Sequence, residues 1–270
     1  MPLPSSVRFP PPASPVSRSR VLFAGPQLSA RASWYGPGLH MRRHAHDCHQ
    51  VSLLLCGTLG ERGPADEVRL DVPAVGVKPA GLAHANDYGP AGALILGIEL
   101  PATFDLPQVQ GIAAAWQWRT RPAPSLLAQG GTLLADLLAG DAPERDAEAR
   151  LWELLAMLAG SSHRPAGTRP RWVVHACQRL QEEAVPLALL AVEEGLHPVY
   201  FARAFTRWVG CPPSIYRMRA QLQRAMASIA AGQSLALAAQ QAGLADQAHL
   251  NRIARRYCGL TPARLRALMA

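Results

Sequence analysis

Histidines near the front of this 270-residue chain and arginines near its end are the residues placed to do chemistry. His44 and His46 stand two apart, Gln50 follows four residues later, and His84 lies beyond the Pro79-Ala80-Gly81 turn. Side chains two apart on a strand share a face, so His44 and His46 would present imidazole nitrogens together, with a third from His84 on a neighbouring strand. Three such nitrogens can hold a divalent metal or hydrogen-bond a small polar molecule. Gln50 offers a neutral amide, and an amide is a poor ligand for such metals. The expectation is therefore a small-molecule effector contacted by His44, His46, Gln50 and His84, with no cofactor and no metal. The nearby His40, Cys48 and His49 keep a soft-metal or thiol sensor open as an alternative.

The arginines belong to a duplicated unit. Leu187, Ala188, Leu189, Ala191, Gly195 and Leu196 recur 48 residues later as Leu235, Ala236, Leu237, Ala239, Gly243 and Leu244. After one inserted residue, Arg203 matches Arg252, Arg207 matches Arg256, Gly210 matches Gly259 and Pro213 matches Pro262. Each unit reads as a short apolar helix (187–193 and 235–241) stopped by a glycine able to turn the chain, followed by a second helix (198–209 and 246–258). Ala191 and Ala239 are small enough to let the two helices cross closely.

The second helices separate into two faces. Phe201, Phe205 and Trp208 fall at helical spacing and should bury, leaving Val199, Ala202, Arg203, Thr206 and Arg207 outward. In the other unit Leu250, Ile253, Ala254 and Tyr257 should bury, leaving Gln247, Ala248, Asn251, Arg252 and Arg255 outward. Arginine suits the guanine O6/N7 edge, and Gln or Asn the adenine N6/N7 edge; the remaining arginines suit phosphates. A helix-turn-helix places such a helix in the major groove. The segment Ser214 to Ala231 reads as one uninterrupted helix, about 27 Å long at the usual rise per residue. Successive major-groove faces lie about 34 Å apart, so this helix could hold both readers on one side of a duplex. Arg203, Gln247, Asn251 and Arg252 are the principal candidates for base contacts.

Charge agrees with that placement. Residues 1–168 hold 14 basic and 14 acidic side chains, whereas residues 169–270 hold 13 against 5, so the whole excess of +8 lies in the tail. A polyanionic partner, double-stranded DNA, is implied for the tail alone. Five cysteines scattered without a CxxC pair read as reduced thiols of a cytoplasmic protein, and no segment is long and apolar enough for a membrane span. No phosphate loop, nucleophile elbow or zincin motif points to an enzyme.

Four regions follow along the chain. Residues 1–33, rich in Pro, Ser and Arg, read as a disordered tail. Residues 34–106 alternate short apolar runs (51–56, 67–72, 75–78 and 93–100) with Gly and Pro turns, the pattern of a small β-barrel or sandwich. Residues 107–169 hold a leucine-rich amphipathic helix pair and a linker at 163–170. Its stripe Leu151, Leu154, Leu155 and Leu158 is a candidate surface for pairing two protomers, with packing inside the chain as the alternative. Residues 170–270 are the helical reader, and the fold class is α+β multidomain.

Two resemblances fit these regions. Residues 170–270 resemble the DNA-binding domain of the AraC/XylS family of transcription regulators through Arg203-Ala204-Phe205, Gly210 with Pro213 and Tyr216, Gly243-Leu244-Ala245-Asp246-Gln247 and Gly259-Leu260-Thr261-Pro262. The resemblance implies two helix-turn-helix units joined by a linker helix, with base contacts from the two second helices. Leu244 and Ala254 stand where the family usually has Phe, which implies a second unit with a thinner core, by about a few kcal/mol.

The spacing from Gly38 through His44, His46 and Gln50 to Gly57 resembles the first cupin motif, and Pro79-Ala80-Gly81-Leu82-Ala83-His84 the core of the second. Together the resemblances imply a regulator controlled by an effector in a cupin-like barrel, acting as a homodimer with RNA polymerase as a candidate partner. A metal-dependent cupin enzyme or metal sensor with a basic tail is the alternative. So is a constitutive DNA binder whose barrel serves only for assembly.

Overall fold

The computed structural model describes residues 17–64, 66–106, 115–120, 124–140, 144–157, 168–182 and 185–270. Its first half is an eight-stranded antiparallel sheet: β1 (Ser17–Ala24), β2 (Ser29–Tyr35), β3 (His40–His44), β4 (Cys48–Arg62), β5 (Glu67–Leu70), β6 (Ala74–Lys78), β7 (His84–Pro101) and β8 (Gln117–Arg119). The main path runs β1-β2-β7-β4-β6-β8, with β3 pairing β7 and β5 pairing β4. Two of these strands correct the reading of residues 1–33 as disordered. Ser17–Ala24 and Ser29–Tyr35 are paired strands, and the signal lies in the alternation Ala30, Ala32, Trp34, all buried on one face. Residues 1–16 lie outside the described part.

Both faces of the sheet's centre are covered, which explains why residues 51–56 and 93–100 read as continuous apolar runs rather than alternating ones. Val51, Leu53 and Leu55 of β4 and Leu94, Leu96 and Ile98 of β7 join one core with the helices. Leu54, Leu59, Tyr88 and Ile95 join a separate inner core. The register is consistent, because Leu53 faces Leu96 and Leu54 faces Ile95.

The helices are α1 (Pro124–Ala139), α2 (Glu144–Met157), α3 (Arg171–Glu182), α4 (Leu187–Glu193), α5 (Pro198–Val209), α6 (Pro213–Ala230), α7 (Leu235–Gln241), α8 (Gln247–Cys258) and α9 (Pro262–Met269). Leu151, Leu154 and Leu155 of α2 are fully buried in the chain's own core, so the expected pairing stripe is an internal packing surface; Leu158 lies outside the described residues. Among the described residues no helix is long and apolar enough to cross a membrane.

The expected boundary at residue 170 is not a boundary between cores. The first helical unit and α3 form a second core, with Val173, Leu180, Leu190, Phe201 and Phe205, which Val72 between β5 and β6 also enters. The second unit shares the barrel's: Leu244, Leu250, Ile253, Ala254 and Cys258 cluster with Val51, Leu53, Leu133 and Leu134. Gly259 lies so close to Gly131 of α1 that a Cβ added to it would stand 2.0 Å from the Gly131 carbonyl oxygen. Small side chains at the second unit therefore accompany a close approach of α1 and the sheet.

Candidate functional site

The two reading helices begin and end as their sequences dictate. Gly195 and Gly243 take φ of +66° and +73°, a left-handed turn that glycine enters without a Cβ clash, and each ends the short first helix. The imidazole of His197 accepts from the Val199 amide at the start of α5, and the Asp246 carboxylate accepts from the His249 amide at the start of α8. Pro198 adds a preset φ at the first position of α5. Phe201 and Phe205 are buried as expected, Trp208 is half-buried, and Ala191 and Ala239 are fully enclosed at the helix crossings.

Of the residues expected to face outward, Val199, Ala202, Arg203, Arg207, Gln247, Ala248, Arg252 and Arg255 are exposed. Thr206 and Asn251 are half-buried, and the Thr206 hydroxyl donates back to the Ala202 carbonyl at 2.7 Å. Tyr200 was not singled out by periodicity, yet it is 59% exposed beside Val199 at the front of α5. Arg203, Arg207, Arg252 and Arg255 form no ion pair among the described residues. Each helix thus presents guanidinium groups, uncompensated by carboxylates, around a short row of side chains that can reach base edges.

Helix α6 joins the two readers and fixes them. Gln221 Nε2 donates to the Gly243 carbonyl at 2.8 Å and Ser228 Oγ to Gln241 Oε1 at 2.8 Å, holding the turn of the second unit. Tyr216 packs edge-on against Phe205 of α5, ring centroids 5.6 Å apart, holding the first, and its hydroxyl accepts from Gln181 Nε2 of α3 at 2.8 Å. The same helix reaches the barrel, where Gln223 Nε2 donates to the Gly57 carbonyl at 2.9 Å.

Inside the barrel the three histidines meet. His44 closes β3 opposite His84 of β7, whereas His46 sits in the connector after β3 and not on the strand, as the two-residue spacing had implied. Their potential ligand atoms nevertheless all lie within 4.8 Å of one another. His44 Nδ1 lies 2.8 Å from the Arg42 carbonyl and His84 Nδ1 3.2 Å from the Leu82 carbonyl. A carbonyl only accepts, so each Nδ1 is the donor and Nε2 is the nitrogen left for a ligand. Burial, reinforced by the neighbouring His84 and His44 and by Lys78, lowers the pKa of His46 to about 4, and burial likewise lowers that of His84. Three imidazoles so close together, two of them oriented by a backbone carbonyl at Nδ1, are a donor set that fits a metal ion.

The cavity around them measures about 50 Å³ and is also lined by Arg31, Gln50, Lys78, Asn86 and Glu99. Gln50 Nε2 lies 3.4 Å from Glu99 Oε1, and Arg31 pairs with Glu99 at 2.8 Å. Lys78, Asn86 and Glu99 were not picked out from the sequence. Lys78 had a faint signal as the chain's single lysine. Behind the cavity lies Glu61, whose side chain is 0% exposed, ion-paired with Lys78 at 3.3 Å. It accepts from Asn86 at 2.8 Å, Trp116 at 2.6 Å and Trp118 at 2.8 Å. Burial alone would raise its pKa, but Lys78 and the two indoles outweigh that and hold it below the ordinary carboxylate value.

These elements define a class: an antiparallel β-sheet domain followed by two helix-turn-helix units joined by one helix. Residues 190–267 match the family model described as a helix-turn-helix domain. Similar solved structures cover the front of the chain. KdgF from Halomonas sp. is 17% identical over 32% of this chain and 80% of its own, with a TM-score of 0.30. A cupin superfamily protein from Desulfitobacterium hafniense is 18% identical over 32% and 78%, at 0.29. An RmlC-like cupin from Shewanella frigidimarina is 22% identical over 32% and 78%, at 0.30. A comparison with curated proteins returns no match.

Proposed function

We propose that the protein is a sequence-specific transcription regulator that reads two successive major-groove segments and is controlled by a ligand in the barrel. The observation that carries this reading is the pair α5 and α8, each exposing arginines that form no ion pair among the described residues and each held to the single helix α6, α5 through Phe205 on Tyr216 and α8 through the Gly243 turn. Arg203 is assigned to base edges in one segment and Gln247, Asn251 and Arg252 to the other. Val199, Ala202 and Thr206, and Ala248, fill the groove beside them, while Arg207 and Arg255 meet phosphates. The shared core between the second unit and the barrel supports the control, since whatever reshapes the sheet reaches Leu250 and Ile253 directly. The test is fluorescence anisotropy of full-length protein on genomic fragments at several salt concentrations. A fragment bound at least about a thousandfold tighter than bulk DNA is expected; uniform weak binding would defeat the reading.

The barrel ligand is assigned to His44, His46, Gln50 and His84. A cavity of about 50 Å³ has room for a few waters or an ion, far below the roughly 300–1,000 Å³ of sites for larger organic ligands. A polar effector of that larger size would need the barrel to open. The closeness of the three imidazoles favours a second reading, in which the ligand is a divalent metal held by His44, His46 and His84. Metal analysis of the purified protein tests it: one equivalent that disappears in His44→Ala supports the metal, and none after incubation with zinc or manganese refutes it. No catalytic role is assigned to the barrel. Two protomers acting together, through a surface other than the buried α2 leucines, belong to the same proposal, as does contact with RNA polymerase once bound; light scattering that returns a monomeric mass at micromolar concentration would count against the dimer.

A further inference from the structure

We infer that the crevice between β1 and α9 is a binding site for a small anionic ligand carrying phosphate or carboxylate groups. It is a cavity of about 470 Å³ where the edge strand of the sheet, the end of α1 and the last helix meet, within the roughly 300–1,000 Å³ range of small-molecule sites. Arg18 and Arg20 of β1 line one wall and Arg264 of α9 the other, over an apolar floor of Leu138, Ala267 and Leu268. No Asp or Glu lines it; Ser17 and Ser19 complete the strand wall, and the α-carboxylate of Ala270 at the rim is one negative charge against three positive ones.

The register shows that the two strand arginines are aimed inward. Arg18 lies opposite Trp34 and Arg20 opposite Ala32, and directly opposed residues share a face of the sheet. Trp34 and Ala32 are buried in the core that the helices complete, so both guanidinium groups project to the helix-covered side. The bulge in this strand pair falls beyond them, between Val21 and Phe23, and the alternation at Arg18 and Arg20 is regular.

Two of the three groups are held in place. Arg18 Nε donates to the Met269 carbonyl at 3.0 Å and Arg264 Nη1 to the Ala135 carbonyl at 3.1 Å. Each bond fixes one edge of a guanidinium and leaves other N–H groups for a ligand. None of the three forms an ion pair among the described residues. Three cations around one crevice repel one another, and an anion between them relieves that repulsion while taking the two-pronged bonds that suit phosphate and carboxylate. Because Arg18 belongs to the barrel and Arg264 to the last helix of the reader, the ligand would tie one half to the other. That consequence rests on the DNA-reading proposal; the binding itself does not.

The test is calorimetric titration of the full-length protein, without DNA and at fixed ionic strength, with pyrophosphate and with citrate as probes. Saturable binding of at least one is expected, the stronger probe identifying phosphate or carboxylate as the preferred group. Arg20→Gln should weaken it about tenfold or more, Ala267→Glu should abolish it by placing a carboxylate in the crevice, and His44→Ala should leave it unchanged. Both probed positions are exposed, and circular dichroism establishes that the variants fold. Absence of saturable binding by either probe overturns the inference, as does binding that survives both Arg20→Gln and Ala267→Glu. It falls equally if neither anion binds and Arg20→Gln instead lowers DNA affinity and its salt dependence, which would make these arginines part of the DNA interface. Failure of the DNA-reading proposal would leave the titration unaffected.

Discussion

The phenol of Tyr216, at the start of the linker helix, donates a 2.6 Å hydrogen bond to the carboxylate of Asp71 in the turn between β5 and β6. Tyr216 is 2% exposed, and it is packed edge-on against Phe205 of the first reading helix. One side chain therefore joins the barrel, the linker helix and the first reader. At the far end of that helix Met226 lies 3.2 Å from Cys56 of β4, and Cys56 lies 3.1 Å from Cys258 of the second reader. The sheet thus touches the helical half at both ends of α6.

Removing only the hydroxyl, in Tyr216→Phe, leaves Asp71 without its short donor and Gln181 without its acceptor. Stability should fall by about 1–3 kcal/mol. Urea denaturation of the variant, with an unchanged slope and a lower midpoint, checks this.

Base-reading and phosphate-neutralising arginines should separate by their salt dependence. Arg203→Ala and Arg252→Ala should each cost about 1–3 kcal/mol at the preferred site and relax preference within one block of it. Arg207→Ala and Arg255→Ala should weaken all sequences alike and reduce the salt slope by about one. Binding isotherms on matched and scrambled duplexes across a salt series distinguish the two patterns.

Glu61 is a buried charge held by one cation and three further donors, so truncating it strands Lys78 in the interior. Glu61→Ala should destabilise the chain by about 3–5 kcal/mol. A thermal melt in which the variant is indistinguishable from the parent would contradict the burial of that network.

Acid should loosen the metal-free barrel in two stages. The His46 pKa is depressed to about 4 from an ordinary 6.5, so the unfolded chain binds a proton more readily than the folded one. Its contribution is fully present above 6.5 and is lost as the pH falls from 6.5 towards 4. Glu61, depressed below its ordinary 4.5, contributes above that value and loses its contribution as the pH falls further. Urea midpoints should therefore decline from pH 7 downward, and His46→Asn should flatten the part above pH 4.5. A midpoint constant from pH 7 to 4.5 would run against this assignment.

Much of the reader was legible because each of its features is local. The repeat placed both short helices, the linker helix and the faces of α5 and α8 to within a residue, since periodicity and a turning glycine suffice for a helix-turn-helix. The barrel was legible only where its strands are apolar on both faces. β1 and β2 were missed because up to residue 33 their buried positions are Phe23, Ala30, Ala32 and Ser33 amid Ser and Arg, a weak hydrophobic signal that becomes strands only as β2 pairs with β7 and β1 with β2. The leucines of α2 were equally consistent with an inner or an outer partner, and the choice depends on the sheet they cover. His44, His46 and His84 were found from spacing. Lys78, Glu99 and Asn86 complete the cavity from positions whose neighbours are set by register, which no short motif records.

The most direct test of the central claim is selection of full-length protein on a random genomic DNA library at physiological salt, with sequencing of the retained fragments. The account predicts an enriched site of two short blocks about one helical turn apart, one blurred in Arg203→Ala and the other in Arg252→Ala. Retention without sequence preference, or a single block indifferent to both substitutions, would contradict it.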